Sequence, residues 1–226
     1  MPDAVESPES LLARARQTTD DLEARLLLTA AVAQAGRQVG ARVVLTGGTA
    51  ADFYASGALG TSAGYPVLWR PSGDIDVIVL SLPPWQPVRR LLLQRLERMG
   101  LKPQYFTDTA RIVLVPEFPF YLEIVAEELG GRERDERTMT LLVDGRVPVD
   151  IRSPENVILA YGESGLHMRH HGDWTRALAV CAAMRDRLDV GWMEQEAARR
   201  GQSEMLDLVL AMRPTPWLPL RPEEDP

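Results

Sequence analysis

The chain has 226 residues, 25 Lys+Arg against 32 Asp+Glu, a formal net charge of −7 and an apolar fraction of 45%. That length and composition suit a conventional core in one large domain, or in a domain with a smaller helical partner. The acidic balance argues against a strongly basic, nucleic-acid-coating surface, though not against a local basic groove, and no run approaches the roughly 20 apolar residues that a membrane-spanning helix needs.

The opening segment is acidic and lacks the positive region of a secretion signal. From about Ser10 to Gly40 the pattern is helical, with Leu22, Leu26, Leu27 and Ala30 at three- and four-residue spacing and Gly40 placed as a C-terminal cap. Val43 to Leu45 reads as a first strand and Thr49 to Ala55 as a short helix. Gly57, Gly60, Ser62, Gly64 and Pro66 mark a loop that returns to an acidic strand, Asp74 to Leu80. Pro83, Pro84 and Pro87 precede a helix over about 88–99 that Gly100 closes.

Strands are expected at about 104–107, 111–115 and 120–126, and a charged turn over 130–137. Asp144-Gly145 joins 138–143 and 146–151 as a hairpin. Ser153-Pro154-Glu155-Asn156 is a helix start, followed by helices near 154–165, 173–188, 190–200 and 202–212. The resulting division is a mixed-sheet α/β region over 1–152, a helical region over 153–212 and a proline-rich tail over 213–226.

Chemistry concentrates between residues 42 and 76. An apolar strand runs into Gly47-Gly48-Thr49, which opens a helix. Glycines there let backbone N–H groups approach a phosphate at the positive end of the helix dipole. Further on, Arg70-Pro71-Ser72-Gly73-Asp74-Ile75-Asp76 begins the acidic strand. Alternation puts Asp74 and Asp76 on one face, with Ile75 and Val77 on the other. Two acids so close stay ionised most easily around a cation. Arg70 and Ser72 precede them closely enough to contact the same phosphates. A third carboxylate, Glu123, interrupts the apolar run Phe120 to Val125, where an unpaired acid is costly unless it meets a cation. Glu127 and Glu128 are its competitors for that position. Three such acids can hold two Mg²⁺ ions about 3.5–4 Å apart, the pair that clamps the attacking and leaving oxygens of an in-line displacement.

These motifs resemble the DNA polymerase β-like nucleotidyltransferase superfamily. Within it they are similar to the AbiEii-type toxin nucleotidyltransferases, whose helical half opens with a segment like Ser153 to Leu159. The resemblance implies an α/β (α+β) fold, with a mixed sheet flanked by helices and then a C-terminal helical bundle. It implies transfer of a nucleoside monophosphate from a nucleoside triphosphate to an acceptor hydroxyl. Gly47, Gly48, Thr49, Arg70 and Ser72 would bind the triphosphate, and Asp74, Asp76 and Glu123 would be the catalytic metal ligands. It also implies an RNA acceptor and an antitoxin partner. The chain departs from that family at Tyr161, where a lysine is expected, and at Arg176, where Asp173 should be followed by a second aspartate.

Three alternatives stay open: a small-molecule acceptor such as an aminoglycoside or lincosamide, a non-catalytic nucleotide- or partner-binding domain of the same fold, and an Asp-x-Asp glycosyltransferase. His167, His170 and His171 lie within five residues but lack a second ligand cluster, and read as a solvated loop. The single cysteine, Cys181, reads as a packed thiol and suits a reducing cytoplasm. Trp174 and Trp192 read as core rather than base-stacking residues, with Trp217 in the tail. Lys102 is the only lysine, so nearly all positive charge is the arginine that suits bidentate phosphate contacts.

Overall fold

The computed structural model describes residues 6–56, 72–81, 88–104, 111–128 and 137–214. The glycine loop after residue 56, Arg70, the prolines at 83, 84 and 87, most of the strand expected at 104–107, nearly all of the charged turn and Trp217 lie outside them. The chain forms two compact units. One comprises residues 1–50 and 71–153, the other residues 51–70 and 154–226.

The first unit opens with two helices where periodicity alone suggested one, α1 (Pro8–Ala15) and α2 (Asp21–Gln38). Side-chain chemistry makes the break. The Ser7 hydroxyl accepts from Ser10 N at 3.2 Å ahead of Pro8, and the Asp20 carboxylate accepts from Glu23 N at 2.8 Å to start α2 afresh. The apolar residues of the two helices happen to be in phase, so their spacing cannot reveal the interruption. Gly40, with φ +78°, turns the chain after α2 as its position predicts.

A seven-stranded mixed sheet follows, built from β1 (Ala41–Thr46), β2 (Asp74–Ser81), β3 (Lys102–Gln104), β4 (Arg111–Leu114), β5 (Tyr121–Glu128), β6 (Thr138–Val143) and β7 (Val147–Arg152). Its order is β3-β4-β5-β2-β1-β7-β6. The pairs β2/β5 and β1/β7 are parallel and the other four antiparallel. The β6–β7 hairpin turns at Asp144 and Gly145 with φ +52° and +68°, the left-handed pair that such a turn demands. On one face of the sheet, Val43, Leu45, Ile75, Val77, Val113, Leu122, Ile124, Val149 and Ile151 are buried, with α2 and α4 (Val88–Arg98) packed against the sheet. Side chains alternate along each strand, so Asp74, Asp76, Tyr121 and Glu123 belong to the opposite face.

Between β1 and β2, α3 (Gly47–Ala55) follows the first strand without a loop. Its first four residues group with the sheet unit and the rest with the helical one. The helical unit continues with α5 (Pro154–Met168), α6 (His171–Met184), a 3₁₀ turn at Arg185–Arg187, α7 (Val190–Arg200) and α8 (Ser203–Leu210). Two glycines set its packing. A Cβ on Gly165 would lie 2.6 Å from Trp174 N, so α5 and α6 approach backbone to backbone, and a Cβ on Gly162 would collide with the Met205 sulfur. Glu155 and Asn156 do more than start α5. Both are buried, Glu155 Oε1 accepts from Asp189 N at 3.1 Å, and Asn156 Oδ1 accepts from Arg200 at 3.4 Å, fastening both ends of α7. No helix among the described residues is long and apolar enough to cross a membrane.

Candidate active site

The site begins where β1 becomes α3. Gly47 adopts φ +64°, and the space a Cβ would need is filled by the Asp76 side chain. At Gly48 the corresponding space is filled by the Ser72 side chain. Both glycines are therefore required by close packing against the acidic strand, in addition to any approach of a ligand to their N–H groups. Thr49 is fully buried, and its hydroxyl donates to the Asp74 carbonyl at 2.9 Å, tying the helix start to the first acid.

Behind this turn stands a residue that sequence reasoning passed over, Arg25 on α2. It is 4% exposed, reaches the Thr49 hydroxyl at 3.5 Å, pairs with Asp21 at 2.8 Å and lies 4.9 Å over the Phe120 ring. Its signal was one arginine next to the apolar run that begins at Leu26.

On the sheet, Thr46 pairs with Asp76 and Asp76 with Glu123, while Asp74 pairs with Tyr121. This register selects Glu123, rather than Glu127 or Glu128, as the acid beside Asp76. Ligand oxygens of Asp74, Asp76 and Glu123 lie within 4.8 Å of one another, and all three residues are half-buried. Among the described residues, no other group of three His, Cys, Asp or Glu side chains converges in this way. The Ser72 hydroxyl donates to Asp74 Oδ1, so it orients that acid directly.

The electrostatics reflect crowding. Partial burial, and then the charge of Asp74, push the Glu123 carboxyl above its usual range. Burial also raises the Tyr121 phenol, joined by the charges of Asp74, Glu123 and Asp76. The Tyr121 hydroxyl stands 3.5 Å from Asp74 Oδ2. Tyr121 is the second residue missed from sequence, although its position two before Glu123 on a strand places it on the same face.

Other expected features fall elsewhere. The three histidines are exposed and form no ligand group: His167 lies in the last turn of α5, His170 accepts from Asp173 N at 3.3 Å as the cap of α6, and His171 begins that helix. The solvated reading therefore holds, but the segment is two helix ends rather than a loop. Cys181 is a buried free thiol, Trp174 is fully buried and Trp192 is half-buried. Arg176 stacks 5.6 Å from the Tyr161 ring and pairs with Asp173 at 3.6 Å, so the two departures from the family pattern meet each other.

No family model matches the chain. No curated protein matches it either. Among solved structures it is similar to the antibiotic-resistance factor ANT(2'')-Ia, at 19% identity and TM-score 0.52, covering 83% of this chain and 97% of that one. An antigenic nucleotidyltransferase-like protein from Paracoccidioides brasiliensis gives 15% identity and TM-score 0.49, over 88% and 94% of the two chains. The mixed seven-stranded α/β architecture is consistent with the nucleotidyltransferase fold.

Proposed function

We propose that the chain is a Mg²⁺-dependent nucleotidyltransferase that moves a nucleoside monophosphate from a nucleoside triphosphate to an acceptor hydroxyl. The observation that carries this reading is the convergence of Asp74, Asp76 and Glu123 beside a helix that starts on Gly47-Gly48. The donor set consists of carboxylate oxygens alone, without His or Cys, which suits a hard cation such as Mg²⁺ better than zinc. Bound there, Mg²⁺ supplies charge neutralisation of the phosphates and acidification of the acceptor hydroxyl.

This chain's residues supply the rest. The first N–H groups of α3 have no partner inside the helix and meet the triphosphate oxygens, with Arg70 contributing charge. Ser72 and Thr49 hold Asp74 by its carboxylate and its carbonyl. Glu123 accepts the proton of the acceptor hydroxyl. The hydroxyl oxygen then bonds to the α-phosphorus as the bond to the leaving phosphate oxygen breaks, releasing pyrophosphate.

The acceptor proposed is RNA, in a toxin-like role with an antitoxin protein as partner. An adjacent gene for a winged-helix antitoxin would support that role. Likeness to an antibiotic-resistance factor favours a second reading, an antibiotic as acceptor. The transfer reading is tested by Asp76→Asn with α-³²P-labelled triphosphates and Mg²⁺: the variant should transfer no label. Transfer at the wild-type rate would refute the mechanism.

A further inference from the structure

The face that carries the three acids does not end at Glu123. Strand register extends it across β4 to the sheet edge in two rows. One row runs Thr46, Asp76, Glu123, Ile112, Gln104; the other runs Asp74, Tyr121, Leu114, Lys102. Cross-strand partners share a face, so Tyr121, Ile112, Leu114, Gln104 and Lys102 form one strip continuous with the carboxylates. The opposite face of β4 is different in kind, with Val113 fully buried. On the strip, Leu114 is 44% exposed, Lys102 is exposed, and Ile112, Gln104 and Tyr121 are half-buried. An exposed leucine between a tyrosine and a lysine, on a central sheet face, is surface available to a ligand.

We propose that this strip is the acceptor subsite, and that it takes the single-stranded end of a nucleic acid, with a base on the Tyr121 ring and a backbone phosphate at Lys102. The inference rests on the transferase reading above and adds to its RNA acceptor the residues that would hold it. Position is the first argument: the strip lies on the Glu123 side of the acids, where the hydroxyl giving up its proton to Glu123 must enter. Chemistry is the second. The strip offers one aromatic face, two aliphatic side chains, one amide and one cation. That is the combination that stacks bases and tracks a phosphodiester without reading sequence. Scale is the third, since two strand spacings separate Tyr121 from Lys102, roughly 10 Å, a reach of between one and two nucleotide steps of an extended strand. A polycationic small molecule would meet Lys102 as a like charge, and the strip's five side chains offer it no carboxylate.

Because Lys102 is the only lysine in the sequence, it can be footprinted alone. With no nucleoside triphosphate present, a 5′-fluorescein RNA hexamer with a free 3′ hydroxyl is bound to the full chain, and acylation of Lys102 by an N-hydroxysuccinimide ester is followed by mass spectrometry. The hexamer should slow Lys102 acylation severalfold. Tyr121→Ala should weaken hexamer binding by roughly tenfold to a hundredfold, the range of one lost base stack, while Tyr121→Phe and Tyr121→Trp stay near wild type. Lys102→Ala should lower the slope of log affinity against log salt by about 0.7, the value for one phosphate contact on a single strand.

Asp76→Asn separates the two levels of the proposal. It should lose transfer yet still show the Lys102 footprint. A footprint in a protein that never transfers label refutes the transferase reading and leaves the strip as a nucleic-acid site. Transfer without any footprint refutes the strip. So does equal weakening by Tyr121→Ala and Tyr121→Phe, because the ring would then matter only through its hydroxyl on Asp74. Protection of Lys102 by a polycationic aminosugar, but not by the hexamer, would also overturn the assignment.

Discussion

Glu123→Gln should make the metal-free protein more stable and the metal-loaded protein less so. Glu123 stands within 4.8 Å of both Asp74 and Asp76 oxygens, and its carboxyl is already pushed up by burial and by the Asp74 charge. Two unit charges at that separation repel by about 0.9 kcal/mol in a water-like dielectric and by about 3.5 kcal/mol at an effective dielectric of 20. The acids are partly open to solvent, so the lower end applies, and relieving two such repulsions gives about 1–2 kcal/mol. For a chain of this length that corresponds to a melting temperature higher by roughly 2–8 °C.

The pH dependence fixes the sign. The folded pKa of Glu123 lies above its unfolded value, so the unfolded state loses the proton first as pH rises. The wild type keeps this contribution below the unfolded pKa and loses it as pH climbs through the raised folded value. Thermal melts in EDTA should therefore show wild type and Glu123→Gln alike near pH 4, with the variant ahead at pH 8. Adding 5 mM Mg²⁺ or Mn²⁺ at pH 8 should invert the order, because a cation repays the crowding only where three carboxylates remain. Glutamine that stabilises nothing at pH 8 in EDTA, or a metal-induced shift equal in the two proteins, would refute the claim that Glu123 belongs to one electrostatic unit with the aspartates.

Gly47→Ala should cost at least about 1–2 kcal/mol in urea unfolding, since an L-residue is strained at φ +64° and its methyl displaces the Asp76 carboxylate; Mn²⁺ binding by calorimetry should weaken with it. Thr49→Val should lose about 1–3 kcal/mol, because the Asp74 carbonyl is left without its buried hydroxyl donor. In the helical unit, hydrogen bonds from Arg199 and Arg200 hold the Glu196 carboxyl at about 2. Its folded pKa lies below the unfolded one, so its stabilisation is present above about pH 4.5 and drains as pH falls towards 2; Glu196→Gln should flatten that part of an acid-unfolding curve followed by circular dichroism.

That the acids share one sheet face was legible from sequence because a strand is a two-beat pattern. Carboxylates at 74 and 76, flanked by Ile75 and Val77, can occupy only one face together, and an acid inside Phe120 to Val125 had to find a cation or an edge. The hairpin at Asp144-Gly145 was legible for a similar reason, since few dipeptides accept two left-handed residues. The break between α1 and α2 was not, because it depends on two caps, Ser7 and Asp20, that interrupt a pattern whose apolar residues stay in phase. Arg25 left only a faint signal for another reason. A buried arginine is sustained by Asp21, Thr49 and Phe120 together, and two of those partners come from distant parts of the chain.

The glycine pair has a structural cause that the sequence pattern does not contain. From sequence, Gly47 and Gly48 are backbone laid bare for a phosphate. In the structure their missing side chains are the volume into which Asp76 and Ser72 fit. The turn and the acids are therefore not two motifs that happen to lie side by side. Any side chain at 47 would dislodge one acid, and any at 48 would dislodge the serine that orients the other. The spacing between the glycines and Asp74-Ile75-Asp76 can vary with the connection that joins them, but the pairing of Thr46 with Asp76 cannot, because it brings Gly47 against the carboxylate. A glycine turn and an Asp-x-Asp that both occur in a chain without that pairing would share the residues of this site and none of its geometry. The register between β1 and β2, more than either motif, is what makes the acids a candidate active site.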